Sequence, residues 1–513
     1  MRTPLLLSLA TTALLTTSIH AESMYDKFQA LELEMNSLKK EVAQLKAQKS
    51  VPMSIDSEKD ASENDTEENP QSDEMEYKEA IIDLQESVSE INKATSGSHL
   101  KFGIDYRFSL DNLSYTMADK SEANNDAFMV NRLWINMDWS ATENLSFVGQ
   151  LAYSKAFGQR TYNDQIGYNF ENFDWVANEN PYDDSLRVRS AYFFYINDTF
   201  LGAEIPWTFS IGRRPSTNGH LVNLRDDDKA ASPMGHTINV EFDGLSSKFS
   251  FDNWVDGMYI KLCAGRGMSN AAHKFTSTPY ATEKVTNPSI DLLGFIFVPY
   301  SNGQYSLSTQ YYYANNLIDQ RFTSLGVPTQ NFDTVGGLHS VTGNFVMNGI
   351  GSGISDFLDD TTLFISGAMS QTNPDAGQNM LGGQNSESKV GYSTWVGIQT
   401  PSLLTDDGRW GFEYNQGSAY WRGITYGEDT NIGSKLATRG QAYEAYFTEY
   451  LIEDILSFQI RYTYIDYEYS GSNGFFGNTT GASMKIADIT DPTMAANVVD
   501  KAQDIRFYIR YKY

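Results

Sequence analysis

From His99 to the last residue, segments in which apolar and polar residues alternate recur along the chain. Leu100, Phe102, Ile104, Tyr106, Phe108 and Leu110 hold one parity, with Lys101, Gly103, Asp105, Arg107 and Ser109 between them. The chain ends on DIRFYIRYKY, where Ile505, Phe507, Ile509, Tyr511 and Tyr513 alternate with Asp504, Arg506, Tyr508, Arg510 and Lys512. A period of two belongs to an extended strand with one apolar and one polar face. Such strands build either a soluble sheet or a membrane barrel, in which the apolar face meets lipid and the polar face a wet lumen.

Three features select the barrel. Segments such as DGMYIKLCAGRG, SIDLLGFIFVPY, HSVTGNFVMNG and LSFQIRYTYIDYEY run to about ten residues, longer than the usual soluble strand and right for a tilted bilayer crossing. Aromatics make up 13% of the chain and cluster at strand ends, in WINMDW, QYYYA and YTYIDYEY, as in the interfacial girdles of membrane barrels. Connections alternate between very short ones, as in PYSNGQ, and long Asn-, Gly- and Asp-rich ones. Roughly sixteen strands are expected, and closing them removes the exposed edges they would otherwise present. No later segment is long and apolar enough for a membrane helix, which needs about 18 such residues.

The N-terminal part reads differently. Arg2, the apolar stretch Leu5 to Ile19 and the small Ala21 predict a signal peptide over 1–21. Phe28, Leu31, Met35, Leu38, Val42 and Leu45 have heptad spacing and predict a coiled-coil helix over 22–50. Residues 51–76, with SENDTEENPQSDE, cannot bury a core and predict an acidic disordered linker. Tyr77, Ile81, Leu84, Val88 and Ile91 resume the heptad over 77–95. Each helix is too short to be stable alone, so self-association, held by an oligomeric barrel over 98–513, is expected. The expected fold class is all-β: a transmembrane antiparallel β-barrel of roughly sixteen strands, preceded by a short periplasmic helical coiled-coil extension.

Composition excludes some functions. A net charge of -27 argues against nucleic acid, which needs a basic footprint. Cys263 is the single cysteine, so no intramolecular disulfide can form.

Residues 186–215, LRVRSAYFFYINDTFLGAEIPWTFSIGRRP, and the following STNGHLVNLRDDDKAASPMGH resemble a pattern of Gram-negative outer-membrane porins. There, an Arg-containing strand ending in Ala-Tyr precedes a strand ending in Gly-Arg, and a long loop then folds into the lumen. The chain is also similar to anion-selective and substrate-specific porins with an N-terminal periplasmic coiled coil. The fuller motif resembles one uncharacterised porin-like family with a GRRPST motif. The resemblance implies an outer-membrane location with lipid around the barrel, a homotrimer, and a final strand whose terminal aromatic, here Tyr513, is read by the barrel assembly machinery.

The candidate constriction residues follow from parity and charge. Arg187, Arg189, Arg213 and Arg214 place cations on one part of the wall, and Arg107, Arg132, Arg461, Arg506 and Arg510 have lumen-facing parity or sit close to it. Asp226, Asp227 and Asp228 offer carboxylates on the loop. Opposed charges across a narrow wet pore screen solutes by charge and dipole, and guanidinium grips carboxylate or phosphate in a fork. Two alternatives stay open: an external, solvated acidic loop, and Arg–Asp ladders that are structural.

Enzyme chemistry has little support. His339 and Ser340 are the closest His–Ser pair, but adjacent strand residues point to opposite faces. No Cys/His metal spacing, EF-hand loop or phosphate loop occurs, so no catalytic residue, metal or cofactor is expected. The expected function is passive diffusion of small hydrophilic solutes or ions, selected by lumen charge and an inward loop. The alternative is a structural or adhesive barrel whose coiled coil engages the cell wall or a partner.

Overall fold

The alternating segments close into a ring of sixteen antiparallel strands. The computed structural model describes residues 100–157, 186–215, 217–239, 241–268, 290–322, 328–351, 353–382, 385–425, 428, 430–471 and 483–513. The strands are β1 (Leu100–Met117), β2 (Glu122–Ser140), β3 (Leu145–Ala156), β4 (Arg187–Asn197), β5 (Trp207–Pro215), β7 (Glu241–Ser250), β8 (Tyr259–Met268) and β9 (Ile290–Ser301). They continue with β10 (Tyr305–Phe322), β11 (Pro328–Asn348), β12 (Thr362–Pro374), β13 (Val390–Pro401), β14 (Arg409–Gly417), β16 (Gly440–Ile452), β17 (Leu456–Tyr467) and β18 (Val499–Lys512). Two short strands lie outside the ring, β6 (Ile238–Asn239) and β15 (Ile424–Thr425), and pair in parallel with each other.

Closure is made by the ends of the barrel segment. Strand β18 pairs with β1 from Lys512 opposite Asp105 to Val499 opposite Met117. The last residue completes the seam: the Tyr513 amide donates to the Ile104 carbonyl at 2.8 Å and the Ile104 amide to the Tyr513 carbonyl at 2.6 Å. The opening alternation therefore belongs to a closing strand.

The two faces have opposite chemistry. Phe102, Ile104 and Tyr106 on β1 and Ile505, Ile509 and Tyr511 on β18 are exposed on the outside. Their neighbours Asp105, Arg107, Asp111, Arg506 and Arg510 are buried inside. An apolar outer face with all strand edges paired is the arrangement that lipid demands. Aromatic pairs such as Tyr195–Trp207, Trp410–Phe447 and Tyr305–Phe345 flank the short connections, where an interfacial girdle would lie. On the same face, Arg213, Asp243, Arg266 and Asp291 stand side by side across β5, β7, β8 and β9. Arg213 bonds Asp243 at 3.2 Å and Arg266 bonds Asp291 at 2.7 Å. This row of alternating charge lies at the end of the strands nearer the long connections.

The expected fold class is corrected in one part. Among the described residues no helix exceeds five residues, the longest being Val222–Asp226, so the described fold is the closed barrel alone and includes no coiled-coil extension. The heptad segments were short, and spacing alone is a weak warrant where an isolated helix is marginal in water. The segments 1–21, 22–50, 51–76 and 77–95 that carried the expectations of signal peptide, helices and linker lie outside the described residues.

Candidate functional site

The barrel interior holds two loops. The first, 217–239, leaves the wall after β5 and reaches the strands on the far side of the ring. It is folded tightly on itself: the His220 amide donates to the Pro233 carbonyl at 3.1 Å and the Gly235 amide to the His220 carbonyl at 3.2 Å. Gly219 permits this, because a Cβ there would sit 2.0 Å from the Pro233 carbonyl oxygen. Leu221 and Val222 are buried against Val346, Phe364 and Trp395 of the wall. The second loop, 418–439, folds in after β14 and buries Trp421, Ile424, Ile432 and Leu436. The β6–β15 pair joins the loops, with Ile424 opposite Ile238 and Thr425 opposite Asn239.

The tip of the first loop is held by charge. Arg510 donates to the Asp226 carbonyl at 2.7 Å and to the Asp228 carboxylate at 2.9 Å, and Lys512 reaches the same carboxylate at 2.8 Å. Asp227 accepts from Tyr450 Oη at 2.5 Å and from Arg409 at 3.1 Å. Burial acts to raise the Asp228 carboxyl, but the charges of Arg510 and Lys512 outweigh it and hold the group below its ordinary value. Arg225 passes between the two loops, bonding Glu444 at 3.0 Å and the Glu428 carbonyl. Lys435 of the second loop bonds Glu413 at 2.6 Å and Glu444 at 2.5 Å.

The other end of the first loop is held without charge. His236 is buried, with Nδ1 2.7 Å from Ser366 Oγ and Nε2 2.9 Å from Ser393 Oγ. Its ring packs on Trp395 and Trp421. Burial lowers the His236 imidazole to about 3 and that of His220, on the same loop, to about 4.

Register explains why the tip docks where it does. Arg132 lies opposite Arg107, and Arg107 opposite Arg510, across β2, β1 and β18. Arg461 lies opposite Arg506 on β17 and β18. Like charges directly opposite destabilise a sheet, and carboxylates bridge these rows. Asp105 bonds Arg132 at 3.2 Å and Arg510 at 2.5 Å, Asp111 bonds Arg506, and Asp228 is delivered by the loop.

The candidate residues fall into groups. Arg107, Arg132, Arg461, Arg506 and Arg510 line the wall under the loop tip and are buried. Arg132 stacks over Trp134 and Arg107 over Tyr508. Asp226, Asp227 and Asp228 sit inside the barrel against this wall. Arg187, Arg189 and Arg214 face the interior from β4 and β5, with Arg189 over the same Trp134 ring as Arg132 and bonded to Gln150 and Thr217, and Arg214 over Tyr192. Arg213 takes the opposite parity from Arg214 and belongs to the outer charged row, because consecutive strand residues cannot share a face. His339 and Ser340 separate likewise: His339 bonds Tyr311 at 2.8 Å, while Ser340 is buried inside.

Two features escaped the sequence reading. One is the second loop, for which the signal was Trp421, Ile424, Ile432 and Leu436 in a connection where exposed loops are polar. The other is a lysine pair, Lys248 on β7 directly opposite Lys261 on β8. The two loops bury the lumen face of β9 to β18 and β1, whereas Gln150, Tyr192, Arg214, Lys248 and Lys261 on β3 to β8 stay half-exposed. The described residues contain no cluster of three or more His, Cys, Asp or Glu able to hold a metal ion.

A family model described as a protein of unknown function (DUF3373) matches residues 122–513. The chain belongs to this family. The match is to the DUF3373 family as a whole, not to the GRRPST stretch in particular. No curated protein matches the sequence. Among solved structures, this DUF3373 member is similar to OprB of Pseudomonas putida at 13% identity, covering 82% of this chain and 96% of that one with a TM-score of 0.47. It is similar to the anion-selective porin of Comamonas acidovorans at 9% identity, covering 81% and 99% with a TM-score of 0.43. It is similar to OmpT, an outer membrane protein of Vibrio cholerae, at 12% identity, covering 81% and 97% with a TM-score of 0.43.

Proposed function

We propose that this protein is an outer-membrane channel for passive diffusion of small hydrophilic solutes or ions. The observation that carries the reading is the unequal filling of the lumen. Both loops pack chiefly against β9 to β18 and β1, and although the first also touches β4 and β8 through Thr217 and Ser232, the side chains of Gln150, Tyr192, Arg214, Lys248 and Lys261 on β3 to β8 stay half-exposed. A structural plug needs a packed interior on every side. A selective path needs one polar wall kept wet and a fixed constriction opposite it. The ion pairs at Asp228 and Glu444 supply the fixed side.

A second reading, a structural or adhesive barrel, draws on the extent of that filling: Trp395, Trp421 and Leu436 are buried as fully as in a soluble core. Conductance separates the two. Refolded protein is inserted in a planar bilayer and single-channel currents are recorded under a salt gradient. Discrete steps support diffusion, and steps in threes support the homotrimer. Absence of current from a folded, inserted barrel would transfer the weight to the structural reading.

A further inference from the structure

Every like-charge row on the arginine side of the lumen is bridged by carboxylates. The row on the opposite side is not. Lys248 and Lys261 lie directly opposite on β7 and β8, both turned inward. Among the described residues neither ammonium bonds a carboxylate. Lys261 donates to Ser232 Oγ of the first loop at 2.5 Å, and Lys248 lies over the Tyr259 ring at 4.2 Å. Asp252, the carboxylate whose charge Lys248 feels, is engaged by the Gly257 amide at 2.6 Å.

Arg214 completes the group. Its guanidinium lies over Tyr192 at 4.7 Å and donates to Ser246 Oγ at 2.6 Å and to Ser210 Oγ. It is close enough to repel Lys261 electrostatically, as is Lys248. Three cations thus share a half-exposed stretch of lumen wall, each fixed by neutral groups: two tyrosine faces and three serine hydroxyls. Neutral contacts set their positions without cancelling their charge.

We propose that Arg214, Lys248 and Lys261 form a binding subsite for small oxyanions, carboxylate or phosphate, on the path through the lumen. This rests on the reading of that space as a solute path. A guanidinium supplies a planar fork for such a group and the ammoniums supply point charges. An oxyanion seated there does for the lysine row what Asp105 and Asp228 do for the arginine row.

Cys263 provides the test, because it faces the lumen beside Lys261 and is the only thiol in the chain. Folded wild-type protein in detergent is treated with a sulfonate-bearing or a trimethylammonium-bearing methanethiosulfonate of equal size, with and without inorganic phosphate. The sulfonate reagent is expected to react about tenfold faster, and phosphate to slow it. Lys248→Gln with Lys261→Gln should equalise the two rates and abolish the phosphate effect, while Lys248→Arg with Lys261→Arg should keep both. Equal rates in the wild type, reaction with neither reagent, or a phosphate effect that survives in the glutamine variant each overturns the proposal. The readout needs no current. A conducting barrel with equal rates therefore sinks the subsite alone, and a non-conducting barrel with the expected rates sinks the diffusion reading alone.

Discussion

Arg510 on the last strand bonds Asp228 at 2.9 Å, and Asp228 belongs to a loop rooted after β5, on the far side of the ring. The loop therefore crosses the lumen to reach Arg510. A charge row fixed by strand register on one wall selects where a loop from the other wall comes to rest.

Asp228→Asn should loosen the loop tip by about 1–3 kcal/mol, since the amide keeps the shape but leaves Arg510 and Lys512 less well matched. Faster proteolysis within 217–239 and a larger single-channel conductance are the expected readouts. Unchanged proteolysis would show that the tip is held by the backbone contacts alone.

Acid should release the same loop, for two reasons with the same sign. His236 and His220 are lowered in the docked state, so between their ordinary value of 6.5 and about 3 the released loop binds more protons than the docked one. Docking is at full strength above 6.5 and weakens as pH falls below it. Asp228, also lowered, adds its loss below the ordinary carboxylate value of 3.8. Hydrogen exchange of 217–239, corrected for the intrinsic pH dependence of amide exchange, should lose protection between pH 7 and 4 in the wild type and lose less in His236→Asn. A flat profile in the wild type contradicts this.

Glu444→Gln should destabilise the folded barrel by about 3–5 kcal/mol, because it removes the buried partner of cations from both loops. Arg225 at 3.0 Å and Lys435 at 2.5 Å would be left beside a neutral amide. Urea unfolding followed by heat-modifiable gel mobility measures the loss. An unchanged midpoint would mean that Glu413 takes up both charges.

Gly391→Ala should dislodge the second loop. A Cβ at Gly391 on β13 would sit 2.2 Å from the Trp421 amide nitrogen, a backbone atom that cannot rotate aside. The tryptophan emission of the variant should shift to the red as Trp421 leaves its buried position. A wild-type spectrum would show that the wall yields instead.

The barrel was legible because its determinants are local. Parity assigns Phe102 and Ile505 outward and Arg107 and Arg506 inward, with no knowledge of pairing. Parity also assigns Arg213 away from the lumen, which proximity to Arg214 obscured. Register was not legible. That Lys248 opposes Lys261, or that Arg107 stands between Arg132 and Arg510, depends on where each hairpin turns, which alternation does not reveal. The second loop was missed for the same reason: Trp421 and Leu436 find their partners through the closed ring and have no periodicity of their own.

The short parallel pairing of Ile424–Thr425 with Ile238–Asn239 ties the two loops into one body. Neither can withdraw without stripping the other of its backbone partners, and Arg225 adds a second tether through Glu428. Widening of the passage is then a concerted event. Current through one barrel should switch between a few discrete levels and not drift, and a lesion in either loop should change the dwell times set by both.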